Sequence, residues 1–512
     1  MGFAATRAMA LIGVQGHPVQ VEVHLAQGLP AVLVTGLPDA AVAQARDRVR
    51  AAVLNSGYSW PQGRITIGLG PAWLPKHGSG YDLAVAVALL AADGKLAPQA
   101  LDGWVFVGEL GLDGGVRPVR GVLPAVLAAR RAGATHVVVP VGNRVEAALV
   151  PDVSVQTVRR LGELVALLRG EPIAEELPLQ TPGESDSTPD AAGAIELDLA
   201  DVAGQELGRF GVEVAAAGAH HVALFGPPGA GKTMLAERLP GLLPPLDTEA
   251  ALEVAAVRSV AGELTVGGTY SDQPPYQAPH HTASVAAIIG GGSALARPGA
   301  VSLAHRGVLF LDEAGEFRRG VLDALRQPLE RGEVVLARSG GVTVYPALIQ
   351  LVLASNPCAC AAGREISCEC GPAALRRFRS RLSGPLLDRV DIQLELGPIT
   401  PSALLADREW VEASAVVAKR VADARTAAAA RWAGSGWKTN SAIPGQTLRG
   451  VRRLSRAVTA VAEHALDLGE LSARGYDRVL RLSWTLADLR GANSPAASDV
   501  NEAMALRLRR HA

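Results

Sequence analysis

The sequence predicts an α/β multidomain protein, with a parallel-sheet core preceded by an α+β domain and followed by a helical one. Three observations carry that expectation. Residues 220–239 run as an apolar segment, a glycine-rich turn and a helical pattern, and Val308-Leu309-Phe310-Leu311 and Leu351-Val352-Leu353-Ala354 are short apolar runs suited to strands buried on both faces. Residues 1–170 mix alternating, strand-like patterns with helical ones. Residues 401–512 hold long Ala-rich helical patterns.

A length of 512 residues suits about two to four domains. Apolar residues make up 48% and aromatics only 4%, so cores are built from Ala, Val and Leu, and base-stacking platforms are sparse. A formal net charge of −1 gives no global basic field. The N-terminus lacks a basic, then apolar, then cleavable pattern, and the apolar stretch near Leu83–Ala92 is too short to span a bilayer. A soluble, cytoplasmic protein with no membrane partner is expected.

In the first domain (1–170), Val19–Leu25 alternates apolar with polar and reads as a half-buried strand. Ala31–Thr35, Arg64–Leu69, Trp104–Leu110 and His136–Pro140 are further strand candidates. Asp39 is placed to cap a helix through Ala40–Leu54. Asp82–Ala92 has so little polar surface that it should be a buried helix. Ala125–Ala132 is also helical. Residues 171–194 hold Pro172, Pro178, Pro182 and Pro189 among acidic and small polar residues, the composition of a flexible linker.

The central domain (195–400) carries the chemistry. Gly226-Pro227-Pro228-Gly229-Ala230-Gly231-Lys232-Thr233 has the spacing of a loop whose backbone N–H groups converge on a phosphate. Lys232 can reach the β- and γ-phosphates of ATP, and the Thr233 hydroxyl can ligate Mg²⁺. About 80 residues on, the run Val308–Leu311 ends in Asp312 and Glu313: one carboxylate for the Mg²⁺ shell, one to take a proton from water. Leu351–Ser355 ends in Asn356, placed to position that water. Arg389, with Arg381 second, is a candidate to stabilise charge on the γ-phosphate of a neighbouring subunit. Glu333–Tyr345 reads as a β-hairpin with a glycine turn. Tyr270–Arg297, with His280 and His281, has poor helical propensity and reads as a loop excursion. Arg338, His280 and His281 suit either a ligand contact or a solvated loop.

All four cysteines lie close together as Cys358, Cys360, Cys368 and Cys370, which argues for one local site. Four thiolates match a structural, tetrahedral Zn²⁺ site, with reduced thiols or a redox pair as alternatives. In the last domain (401–512), Leu404–Ala433 and Leu448–Leu466 are helical, separated by Gly434-Ser435-Gly436. Ser472 opens a helix running to Leu489. Arg507, Arg509 and Arg510 read as a solvated basic end.

Several of these segments resemble known families. Gly108-Glu109-Leu110, Arg117-Pro118-Val119, Ala128–Gly133 and Val137–Pro140 are similar to the proteolytic domain of Lon proteases, which implies a Lon-like (S5-type) α+β fold. That family's Ser–Lys dyad is missing: Gly80 stands in the serine position and Leu123 in the lysine position, with Ser79 one place off and Lys76 near only in sequence. From Val202 to Asp391 the chain looks like the AAA+ ATPases of the magnesium-chelatase-like group. Ala278-Pro279-His280-His281-Thr282, Ser302-Leu303-Ala304-His305 and Ser383–Arg389 make the whole chain resemble the ComM/YifB family. Arg306 and Ala314-Gly315 depart from that family's pattern without touching the inferred chemistry.

The resemblance implies an AAA+ P-loop core, Val202 at the adenine pocket, hairpins projecting into a central pore, and a C-terminal helical lid with Arg474 as a second phosphate sensor. It implies a hexameric ring that hydrolyses ATP, translocates on branched or single-stranded DNA, and promotes branch migration of transforming DNA. A magnesium-chelatase motor subunit and a regulatory ATP-binding partner are the alternatives.

Overall fold

The computed structural model describes residues 2–39, 42, 44–172, 197–264, 271–292, 296–338, 341–358, 360, 370–371, 373, 376, 381–382, 384–400, 402 and 411–507. Most of the expected linker, the turn residues Ser339 and Gly340, Cys368, Arg509 and Arg510 lie outside the described residues.

In the N-terminal part, β1 (Gly2–Ile12) and β2 (Gln15–Ala26) form a hairpin, followed by β3 (Ala31–Thr35), α1 (Ala45–Asn55) and β4 (Arg64–Gly70). The sheet order is β1-β2-β4-β3, with only the β3–β4 pair parallel. Val19, Val21 and Val23 are buried while their neighbours are not, as the two-residue period requires. Every residue of α2 (Asp82–Ala92) is buried. Its one charge, Asp82, receives two bonds from Arg48, at 2.7 and 2.9 Å, the compensation a buried carboxylate needs.

A second, parallel sheet joins β5 (Trp104–Phe106), β6 (His136–Pro140) and β7 (Ser154–Val158), with α3 (Val122–Arg131) between the first two. One expectation changes here. The strand expected over Trp104–Leu110 breaks after Phe106, because the main chain of Gly108 bonds to Gly80 and Leu83 instead of a strand neighbour. Of the helix expected from Ala40, residues 40, 41 and 43 lie outside the described residues, Val42 is helical and α1 covers Ala45–Asn55; the Asp39 carboxylate accepts from Val42 N–H at 2.8 Å, the expected cap, and also from Gly78 N–H at 3.0 Å.

The central part contains α4 (Glu206–Gly218), β8 (Val222–Phe225), α5 (Lys232–Arg238), α6 (Thr248–Ala261), β9 (Tyr276–Gln277), α7 (Val285–Ile289), β10 (Val308–Leu311), the hairpin β11 (Glu333–Arg338) and β12 (Gly341–Pro346), β13 (Gln350–Ser355) and β14 (Ile392–Glu395). One sheet runs β9-β10-β13-β8-β14, parallel throughout. All residues of β8, β10 and β13 are buried. The expected loop excursion over 270–297 is corrected: it holds an edge strand and a short helix. Tyr276 stacks on Phe310 at 6.3 Å, a tertiary contact that overrides weak local propensity. The N-terminal part docks on α6, where Gly121 N–H donates to Ser259 O at 3.2 Å and the Ser259 hydroxyl donates to Glu146.

The C-terminal part is helical: α8 (Ser414–Arg431), α9 (Arg456–Asp467), α10 (Ala473–Leu489) and α11 (Ala497–Arg507). The helix expected over Leu448–Leu466 is divided, since Gly450 leaves helical backbone at φ −111°, ψ −104°. Ser472 caps α10 through its hydroxyl, as expected. Arg507 is buried, not solvated, and donates to Val390 O at 2.6 Å. Asp391, fully buried ahead of β14, accepts from His221 N–H at 3.0 Å and pairs with Arg478 of α10, tying the helices to the sheet.

Candidate nucleotide site

The carboxyl ends of β8, β13 and β10 lie side by side, the edge at which open parallel sheets bind ligands. After β8 the chain turns through Gly226–Gly231. Gly229 and Gly231 have φ of +75° and +79°, the left-handed region that glycine takes most readily, and a Cβ on either would meet open space. Lys232 folds back over this loop. Its ammonium donates to Gly226 O at 2.7 Å, Pro227 O at 2.9 Å and Asn356 Oδ1 at 3.1 Å. Burial lowers the pKa of Lys232, opposed by the carboxylates of Asp312 and Glu313.

Thr233 Oγ1 donates to Asp312 Oδ2 at 3.0 Å, and Asp312 Oδ1 accepts from Glu313 N–H at 2.8 Å. Glu313 has φ +50° and ψ 44°, a left-handed conformation that costs a non-glycine residue about 1–3 kcal/mol and clusters at functional sites. Its half-exposed carboxylate meets His281, with Nδ1 3.0 Å from Oε2. Lys232, Thr233, Asp312, Glu313 and Asn356 therefore come together around the glycine loop. His281 joins them, a residue whose role the sequence left open. Val202 is 1% exposed and packs in the core with Leu199.

Arg389 and Arg474 are elsewhere. They line a cleft of about 780 Å³ with His221, Gly307, Gln350 and Asp391, which stand at the amino ends of the strands. Along β8, from His221 to Gly226, that is roughly 16 Å from the glycine loop, at about 3.3 Å per residue. Arg389 is 5% exposed; it donates to Pro385 O at 2.6 Å and to the Glu330 carboxylate, and its buried Nε has no hydrogen-bond partner among the described residues. Arg474 is 64% exposed and 4.0 Å from the same Glu330 oxygen. Arg306, Arg478 and Arg481 line this cleft too. Arg381 is distinct: it donates to Gly315 O and Glu316, both at 2.9 Å, just after Glu313.

The sulfurs of Cys358, Cys360 and Cys370 lie within 4.8 Å of one another, with Cys358 buried. The Cys358–Cys360 separation of 3.2 Å is too long for a disulfide. Such a set fits a thiolate metal site. In the N-terminal part, the Lys76 ammonium donates to Leu69 O at 2.8 Å and to Pro71 O, while the Ser79 hydroxyl bonds to Glu109. Leu123 is buried. The nearest substitutes for a Ser–Lys dyad are thus each engaged with other groups. Among the described residues, no helix is long and apolar enough to cross a membrane.

Three family models match the chain: magnesium chelatase, subunit ChlI, over residues 198–404; subunit ChlI of Mg-chelatase over 21–143; and magnesium chelatase, subunit ChlI C-terminal, over 411–507. An uncharacterized protein of Mycobacterium tuberculosis is 51% identical over 99% of both chains. YifB of Escherichia coli is 40% identical over 99% of this chain and 97% of its own. Competence protein ComM of Haemophilus influenzae is 40% identical over 99% and 98%.

Proposed function

The chain belongs to the ComM/YifB family of magnesium-chelatase-like AAA+ ATPases, and on that premise we propose that it is an ATP-driven ring motor that remodels DNA. The observation that carries the hydrolysis is the convergence of Lys232, Thr233, Asp312, Glu313 and Asn356 at one edge of the parallel sheet. The glycine loop and Lys232 bind the phosphates of ATP. Thr233 and Asp312, two oxygen donors 3.0 Å apart, would hold Mg²⁺, which when bound neutralises phosphate charge. Asn356 orients the attacking water, and Glu313 takes its proton as the oxygen bonds to the γ-phosphorus and the bond to ADP breaks.

In this reading Arg389 and Arg474 serve a neighbour's nucleotide in a homo-oligomeric, hexameric ring, since both lie at the far edge of their own sheet. The N-terminal part is a Lon-like scaffold without peptidase chemistry, residues 171–194 a linker, and the C-terminal helices a lid. The DNA assignment rests on the family resemblance, supported by Arg338, an exposed cation at the end of the β11–β12 hairpin. It is tested by ATPase rates with branched DNA, single-stranded DNA, duplex and no DNA. Stimulation by branched or single-stranded DNA is expected. Hydrolysis that no DNA changes removes the DNA reading, and absence of hydrolysis removes the motor.

Cys358, Cys360 and Cys370, with Cys368 as the fourth thiolate, hold a structural Zn²⁺ in this reading. Metal analysis should find about one zinc per chain, lost with Cys358→Ser. Metal-free protein that is fully active would refute it.

A further inference from the structure

The edge strand β9 runs parallel to β10 with Tyr276 opposite Val308 and Gln277 opposite Leu309, an offset of 32 residues. Carried past the ends of both strands, that offset sets His281 opposite Glu313. The side chains meet there, Nδ1 to Oε2 at 3.0 Å. Among the described residues, His281 is the only ion-pair or hydrogen-bond partner of that carboxylate. An ionised carboxylate offers only lone pairs, so the imidazole must carry its proton on Nδ1 to make this contact attractive.

The surroundings of His281 fix its place. Ala283 N–H donates to His280 O at 2.9 Å, closing a turn around residue 281. The two imidazole rings lie 4.1 Å apart, and the His280 ring is held by the Thr282 hydroxyl at 2.8 Å. Beyond the turn, the Ser284 hydroxyl caps α7 by accepting from Ala287 N–H at 3.2 Å. The imidazole is thus carried between a strand and a helix, whereas the glutamate projects from a single strained turn with a long side chain half in solvent.

We propose that His281 is a positioning residue for Glu313, holding its carboxylate in the orientation from which it accepts a proton from the attacking water. The proposal rests on reading Glu313 as the base. His281 acts through Glu313 and makes no bond to the nucleotide.

The test is steady-state ATPase kinetics on the full chain. His281→Ala should lower kcat about tenfold or more and leave KM within about twofold, because orientation of the base matters to the transition state and not to nucleotide binding. His281→Asn, whose amide nitrogen stands where Nδ1 does, should recover kcat to within about threefold of wild type. A wild-type kcat in His281→Ala overturns the proposal, as does an Asn variant as slow as the Ala variant. A fall in kcat matched by a lowered melting temperature assigns a structural role and overturns it too. Glu313→Gln is measured alongside: if it hydrolyses ATP at the wild-type rate, the reading of Glu313 fails, whereas an inactive Glu313→Gln beside an unaffected His281→Ala sinks the histidine alone.

Discussion

The two edges of the central sheet differ in charge and in freedom. At the carboxyl edge, Asp312 and Glu313 face a glycine loop, and the Glu313 carboxylate is half in solvent. At the amino edge, arginines dominate the cleft, and one of them, Arg389, is tied to Glu330 and buried. A fully buried sheet separates the edges, so one chain cannot fold its own Arg389 onto its own glycine loop. In the proposed ring, each chain would carry two complementary half-sites that head-to-tail contact between copies unites, the arrangement that closes rings.

The largest effects come from removing one half-site at a time. Glu313→Gln and Arg389→Ala should each lower turnover by about a hundredfold or more. A 1:1 mixture of the two variants should regain about a quarter of the wild-type rate, since about one interface in four pairs an intact base with an intact arginine. A mixture as inactive as its components would place the arginine outside the neighbour's site.

A smaller effect sharpens the contrast from the side of stability. His221, at the amino edge, has its pKa pushed down to about 4 by burial, with Arg478 adding to the fall and Asp391 opposing it. Its Nδ1 accepts from Leu351 N–H at 3.1 Å, a bond that protonation forbids. The unfolded chain takes up this proton below about pH 6.5, while the folded chain resists until about pH 4. Stability is therefore lost as pH falls through that window, by at most about 3 kcal/mol. Denaturant titrations across this range should show a shallower pH slope for His221→Asn; an unchanged slope would refute the assignment.

Much of this was legible in the sequence, for physical reasons. Continuous apolar runs ending in polar residues mark buried parallel strands, so β8, β10 and β13 and the residues after them could be placed. The glycine loop declared itself because only glycine accepts its dihedrals. His281 was not assignable, since a two-residue edge strand such as β9 leaves no periodic signal. Which end of the sheet receives Arg389 and Arg474 depends on how Asp391, Arg478 and the C-terminal helices pack, which local pattern does not encode. Arg306, set aside as a departure from the family pattern, pairs with Glu253 at 2.9 Å and lines the same cleft. Arg507 reads as solvated because arginine is rarely buried, yet the carbonyls of Val390 and Asp391, just ahead of β14, accept its protons.

The three donor bonds of Lys232 have a mechanical corollary. Its ammonium already grips two carbonyls of its own loop and the amide that follows β13. A triphosphate that captures that ammonium would loosen one or more of these three bonds, the one to Asn356 among them. Loss of the Asn356 bond would carry the arrival of the nucleotide to the adjoining strand before any covalent bond is broken.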